Sequence, residues 1–257
     1  MPNTNDKYLN KQKLQEKLKG GTSLRKPGTF ILIIAAIIFL MSISFKISKI
    51  EVSGNNLYED KDVISASGIQ TGDNLFFINR IAAGSRVVVK LPYIDSVAIT
   101  RTLPNKVTIV VQESNAIGYV VANEEYWTIS QSGKFLDKIE AKDTAGVARI
   151  NGLTIKKPVE GEIISPAKGE EGKFKYLLDI MYQIQTRGMV ADITSIDVSN
   201  EANPEIGYQD RFSVRLGEMD NTEYKFGKLL SAVSQLGADD AGSMDLSTDN
   251  KVYFNPN

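Results

Sequence analysis

Residues 29–45, TFILIIAAIIFLMSISF, decide how the chain is organised, because these seventeen residues carry no charge and lie between Lys26 and Lys46. A helix needs roughly 17–25 apolar residues to cross the hydrocarbon core of a bilayer. Residues 30–41 offer no polar face, which a helix packed on a soluble core would normally show. The stretch therefore predicts a transmembrane helix. A cleaved signal peptide ending near the small residues at 42–44 and a buried core helix stay open as alternatives.

The charges on the two sides of this stretch predict its orientation. Residues 1–28 contain seven basic and two acidic side chains, whereas the rest of the chain contains 23 basic and 29 acidic ones. Basic residues that flank a first membrane helix stay on the cytoplasmic side. We therefore expect a cytoplasmic basic tail at 1–28, a membrane helix at 29–46 and extracytoplasmic domains at 47–257. The expected location is the plasma membrane, crossed once and contacting lipid through this helix.

Composition excludes several kinds of function. The 257 residues include neither Cys nor His, which removes disulfide scaffolds, the usual zinc sites and nucleophilic catalysis that depends on His. A net charge of −1 argues against nucleic acid as the main partner. The pairs of neighbouring acidic residues would point to opposite faces of a strand, so they are poor candidates for paired catalytic carboxylates. We expect no catalytic residue, cofactor, metal or small-molecule substrate, and no enzyme activity.

Residues 47–115 show the pattern of a small α+β domain. Hydrophobic spacing predicts a first strand, helices at 60–67 and 79–91, and then two strands joined by a turn at 103–106. The second helix would end at Pro92, with Ile81, Ala82, Val88 and Leu91 as its inward side chains. The predicted order is β-α-α-β-β, with two helices on one face of a three-stranded sheet.

Several short motifs in this segment occur in a recognisable order. They are Ile50-Glu51-Val52-Ser53-Gly54-Asn55, Gly72-Asp73-Asn74-Leu75-Phe76, Leu91-Pro92-Tyr93-Ile94, Arg101-Thr102-Leu103-Pro104-Asn105 and Val111-Gln112-Glu113. Together they resemble a POTRA domain. Directly behind a single N-terminal anchor, such a domain is similar to the FtsQ/DivIB family of bacterial cell-division proteins. One departure from the family is the helix start, where Glu59 or Asp60 must provide the cap.

Residues 116–257 predict a second domain built mainly from strands. Apolar stripes predict helices at 173–187 and 221–236, and alternating patterns predict short strands before, between and after them. The only Trp, Trp127, falls in a predicted hairpin, where a half-buried position is expected. The pattern resembles the β domain of the FtsQ/DivIB family, a mostly antiparallel sheet with two helices. The fold class predicted for the whole chain is α+β.

The end of the chain provides the candidate binding site. The exposed edge of a sheet offers unpaired backbone groups to a strand of a partner. The predicted edge is either residues 243–246 or residues 252–254. The candidate residues of these two strands are Asp245, Leu246, Val252, Tyr253 and Phe254. The alternative for the two aromatic residues is that they pack back onto the second helix of this domain.

The resemblance implies a function and its partners. Members of the family use their last strands to bind a small membrane-anchored coiled-coil protein of the FtsB/DivIC type, together with FtsL. We therefore expect a non-catalytic scaffold at the division septum that recruits and positions septum-forming partners. An envelope transport or secretion module that contains a POTRA domain is one alternative, and a secreted surface sensor or hydrolase is another.

Overall fold

The computed structural model of the protein describes residues 27–248 and 251–257. The predicted basic tail therefore lies almost wholly outside the described residues, as do Asp249 and Asn250. The chain divides into two compact units. One comprises residues up to Ile50 with Gln70–Ile78 and Arg101–Val107, and the other comprises Glu51–Ile69, Asn79–Thr100 and Thr108–Asn257.

The apolar stretch that opens the sequence forms helix α1, Pro27–Ser44. Its large side chains are exposed on all sides, with Phe30, Phe39 and Leu40 each more than 60% accessible. The prediction of a helix is confirmed, and the alternative of a buried core helix is wrong because nothing in the described chain covers these side chains. In the described part of the chain, no helix combines the length and the apolar character that crossing a membrane requires.

The next elements confirm the predicted order of strands and helices. A three-stranded sheet with the order β1-β3-β2 accompanies two helices. The bounds are β1 Lys49–Ser53, α2 Asp60–Ser67, α3 Arg80–Lys90, β2 Ile94–Thr102 and β3 Lys106–Glu113.

The starts and ends of both helices follow from local chemistry. Glu59 occupies the N-cap of α2, and its backbone N–H donates to the Asp62 carboxylate at 3.3 Å. Gly68 ends α2 with φ of 69°, a left-handed conformation that glycine adopts without a steric penalty. Asn79 caps α3 by accepting a hydrogen bond from the Ala82 N–H at 3.1 Å.

The predicted inward face of α3 needs correction. Ile81 is 84% exposed, while Ala83, Gly84 and Val87 are buried. The small residues Ala83 and Gly84 let the helix approach the sheet closely, and this rotates Ile81 toward solvent.

The rest of the chain forms a nine-stranded sheet in the order β12-β11-β10-β9-β8-β7-β4-β5-β6. Five neighbouring pairs are antiparallel, and the pairs β4–β7, β7–β8 and β10–β11 are parallel. The strands are β4 Ala116–Ala122, β5 Glu125–Ser130, β6 Phe135–Ile139, β7 Ala148–Asn151, β8 Ile193–Asp197, β9 Glu205–Tyr208, β10 Phe212–Arg215, β11 Gly242–Asp245 and β12 Tyr253–Pro256. The predicted α+β class and the mostly antiparallel sheet are confirmed.

Two helices, α4 Glu171–Thr186 and α5 Thr222–Val233, contribute buried side chains to the core of this sheet. Tyr176 of α4 is fully buried, and its hydroxyl lies 3.0 Å from the carbonyl oxygens of both Gly217 and Glu218. Burial raises the pKa of the Tyr176 phenol above its usual value. Trp127 is half-buried, as predicted, and meets Phe135 edge to face with ring centroids 6.0 Å apart.

Candidate partner-binding edge

The last strand forms one border of the nine-stranded sheet. β12 pairs antiparallel with β11, placing Asp245 opposite Tyr253 and Met244 opposite Phe254. β11 itself lies between β10 and β12, so it has a strand on each side. Of the two strands predicted as the edge, only β12 therefore has a border that no strand of the described chain occupies.

The opposite border of the same sheet is β6, and that border is covered. The Phe135 N–H donates to the Glu162 carbonyl, and the Gly161 N–H donates to the Phe135 carbonyl, both at 2.9 Å. Farther along β6, the Tyr93 hydroxyl donates to the Asp137 carboxylate. A loop thus pairs with the backbone of β6 at Phe135, whereas no strand of the described chain pairs with the outer border of β12.

The two aromatic side chains of β12 have different surroundings. Phe254 is half-buried and packs edge to face on Phe212, with ring centroids 6.1 Å apart. Tyr253 is 53% exposed, since alternate residues of a strand point to opposite faces. The alternative that both rings pack back onto the second helix does not describe Tyr253, and the ring contact of Phe254 is with Phe212 of β10.

The other candidate residues lie behind this edge. Leu246 is completely buried and belongs to the hydrophobic core, and Val252 is half-buried against that core. Asp245 accepts a hydrogen bond from the Ser247 N–H at 2.8 Å. Hydrogen bonding to Ser247 lowers the pKa of the Asp245 carboxyl, so this side chain is ionised at neutral pH and shapes the turn that leaves β11.

A groove of about 360 Å³ runs between α5 and β12, lined among others by Tyr224, Lys228, Leu236 and Phe254. The Lys228 ammonium donates to the Thr248 carbonyl at 2.6 Å and to the Leu246 carbonyl at 3.2 Å. It also lies 5.3 Å from the centroid of the Tyr224 ring, a cation–π distance. The groove lies beside the open edge and is lined by both apolar and polar side chains.

The apolar pattern of the predicted helix at 221–236 includes Tyr224, and no motif in the sequence singles out Lys228. Tyr224 is 54% exposed and stands one turn before Lys228 on the same helix face. This spacing of four residues was a signal in the sequence. What could not be predicted is that the face would border the last strand, because that depends on the parallel pairing of β10 with β11.

Residues 27–248 and 251–257 bring together no group of three acidic side chains that could hold a metal ion. The geometry is suited to binding a protein segment along a strand.

Comparison with known proteins identifies the domain that follows α1. Residues 45–114 match the family model of the POTRA domain, FtsQ-type. The cell division protein DivIB of Clostridium botulinum is 27% identical over 253 residues, covering 97% of this chain and 95% of that protein. The chain is thus similar to DivIB over almost its whole length, and residues 45–114 are similar to an FtsQ-type POTRA domain.

Other relatives agree with this assignment. DivIB of Bacillus subtilis is 27% identical over 128 residues, which are 50% of this chain and 49% of that protein. The cell division protein FtsQ of Corynebacterium glutamicum is 33% identical over 89 residues, 35% of this chain and 40% of that protein. These relatives are all named cell division proteins, and the open edge at β12 lies in the part of the chain beyond the POTRA match.

Proposed function

We propose that this chain is a member of the FtsQ/DivIB family and acts as a non-catalytic scaffold of the division machinery that binds a partner strand along β12. The single observation that carries this proposal is the uncovered border of β12, set against the covered border of β6. A strand added there would pair with the backbone of β12, and Tyr253 would lie on the exposed face beside it.

The proposed partner is an FtsB/DivIC-type membrane protein together with FtsL. A strand of this partner would satisfy the open backbone groups of β12. A helix preceding that strand would lie in the groove beside Tyr224, Leu236 and Phe254. Three findings support this proposal: the open border of β12, the groove between α5 and β12, and the cell-division role of the family.

We further propose that α1 anchors the protein in the plasma membrane, with its N-terminus in the cytoplasm. Eighteen helical residues extend about 27 Å, slightly less than the ~30 Å of a hydrocarbon core. Local thinning of the bilayer accommodates a difference of this size. The exposed apolar side chains of α1 support insertion, because in water each of them would lose the favourable free energy of burial.

The proposed organisation is a cytoplasmic tail at 1–28, an anchor at 29–46, a POTRA domain at 47–115 and a β domain at 116–257. The anchor would hold both outer domains at the membrane of the septum, where wall synthesis occurs. Non-catalytic action fits the absence of His and Cys from the sequence, which removes the commonest general base and the commonest strong nucleophile.

Titration of the full-length protein in lipid nanodiscs with the ectodomain of a DivIC-type protein tests the scaffold proposal. We expect saturable binding with one partner per chain. Absence of binding, with the protein folded by circular dichroism, would refute the proposed partner. A fluorescent fusion that forms no band at the division site would refute the proposed location.

A further inference from the structure

The end of α1 is joined directly to a rim of the first unit. The Asn74 side chain donates to the Met41 carbonyl at 2.8 Å, which satisfies one of the free carbonyls in the last turn of the helix. The Leu75 N–H donates to the Phe45 carbonyl at 2.8 Å, and the Phe45 and Phe76 rings meet edge to face with centroids 4.9 Å apart. These contacts fix the end of the helix against residues 74–76.

A second segment is held at the same place. The Ser48 N–H donates to the Asn105 carbonyl at 2.9 Å, and the Ile47 N–H donates to the Asp73 carbonyl at 2.8 Å. Residues 45–50, 70–78 and 101–107 therefore form one hydrogen-bonded layer that begins within a turn of the helix end. We call these three segments the rim.

The rim exposes large apolar side chains that the POTRA core does not use. Phe77 is 66% exposed, Leu103 is 62% exposed and Phe76 is 37% exposed. Their neighbours Leu75 and Val107 are completely buried, so the exposure of these three residues does not reflect a loosely packed segment. Apolar side chains in this position need an apolar surrounding outside the domain.

The charges of the rim indicate what kind of surface the rim contacts. The three rim segments contain four basic side chains, Lys46, Lys49, Arg101 and Lys106, and one acidic side chain, Asp73. The Arg101 guanidinium is half-buried and donates to the Ile78 carbonyl, so the three lysines provide the outer positive charge. The remaining chain after α1 has more acidic than basic residues. Aromatic and aliphatic side chains bordered by basic ones are the combination that binds the headgroup region of anionic bilayers.

We propose that the rim of Phe76, Phe77 and Leu103 inserts into the headgroup region of an anionic bilayer and so holds the POTRA domain against the membrane. The proposal rests on the proposed membrane anchor, because the rim reaches lipid only if α1 is inserted. With the helix end hydrogen-bonded to the rim, insertion of α1 places Phe77 and Leu103 at the boundary between headgroups and acyl chains. The rim segments are then held at the membrane surface beside the end of α1.

The natural absence of Cys gives a direct test on the full-length chain. Single substitutions Phe77→Cys and Leu103→Cys are labelled with a nitroxide and reconstituted in vesicles of phosphatidylcholine with phosphatidylglycerol. Phe39→Cys in α1 reports insertion of the anchor. Tyr182→Cys on α4 is the matched control, because this aromatic side chain is 51% exposed and lies far along the chain from the rim.

Power saturation then compares collisions of each label with oxygen, which concentrates in the bilayer, and with a water-soluble nickel chelate. We expect the oxygen-to-nickel ratio at Phe77→Cys and Leu103→Cys to exceed that at Tyr182→Cys several-fold and to stay below that at Phe39→Cys. We also expect the ratio at Phe77→Cys to fall in vesicles of phosphatidylcholine alone.

The contrary results separate the two proposals. Ratios at both rim positions that equal the control, with Phe39→Cys deep in the bilayer, would overturn the rim proposal and leave the anchor intact. A water-accessible Phe39→Cys would overturn the anchor and the rim together. Rim labels shielded from both oxygen and nickel would show a protein surface on the rim in place of lipid, and would likewise overturn the proposal.

Discussion

Truncation of Tyr253 should weaken partner binding at the open edge while leaving the stability of the domain almost unchanged. Tyr253 is 53% exposed. With roughly 200 Å² for the whole side chain, about 100 Å² remains to be covered by a partner. At about 25 cal/mol per Å², complete burial contributes roughly 2.5 kcal/mol, so Tyr253→Ala should weaken partner binding by about 50- to 100-fold. The free energy of unfolding should change by less than about 0.5 kcal/mol, because the side chain is largely solvated in the free protein.

Isothermal titration of full-length protein in nanodiscs with the DivIC-type ectodomain measures the effect. Tyr182→Ala is the matched control, since Tyr182 is 51% exposed on α4 and has no part in the proposed edge. The control should bind like the natural protein. A change of less than about two-fold for Tyr253→Ala, or an equal loss in the control, would refute the reasoning that Tyr253 is covered by the partner.

Three further predictions concern the framework behind the edge, each measured by urea unfolding. Tyr176→Phe removes the hydroxyl that reaches two buried carbonyls and should lower the free energy of unfolding by about 1–2 kcal/mol. Gly118→Ala would place a Cβ 2.5 Å from a carbonyl oxygen of β7 and should cost more than about 2 kcal/mol, whereas Gly227→Ala in open space on α5 should stabilise by about 0.5–1 kcal/mol. The pKa of the Asp245 carboxyl is lower in the folded protein than in the unfolded chain. The ionised carboxylate should therefore contribute fully to the free energy of unfolding above the unfolded pKa, and this contribution should be lost as the pH falls below about 4. Asp245→Asn should remove this acid sensitivity of the stability.

For each of these three stability predictions, a specific result would contradict the expected effect. Unchanged stability in Tyr176→Phe would mean that its hydroxyl does not bind the carbonyls of the folded protein. Equal stability of the two glycine variants would contradict the close approach of β4 and β7. A difference between natural protein and Asp245→Asn that grows on acidification from pH 6 to 3 would have the wrong sign.

Local patterns predicted the helices well because their signals lie within a few residues. The helix at 60–67 was predicted with its observed bounds, since acidic residues begin it and Gly68 ends it. The inward face of α3 was predicted wrongly at Ile81 because hydrophobicity alone favours Ile over Ala83 and Gly84. Close packing against the sheet reverses that preference, and only the assembled sheet reveals it.

The order of strands could not be predicted from the sequence. The parallel pairs of β7 with β4 and β8 join segments whose pairing depends on long-range packing. The same holds for the open border, because the position of β11 between β10 and β12 decides that β12 is the edge. The aromatic residues of β12 were identifiable from the sequence, whereas the different exposure of Tyr253 and Phe254 follows from the register with β11.

The most direct test of the central claim is amide hydrogen exchange of the full-length protein with and without the DivIC-type ectodomain. If a partner strand pairs with β12, exchange of amides within Tyr253–Pro256 should slow at least ten-fold on binding. Amides of β6, whose border is already covered, should be unaffected. Saturated complex in which β12 exchanges as fast as in the free protein would contradict the claim that this edge receives the partner.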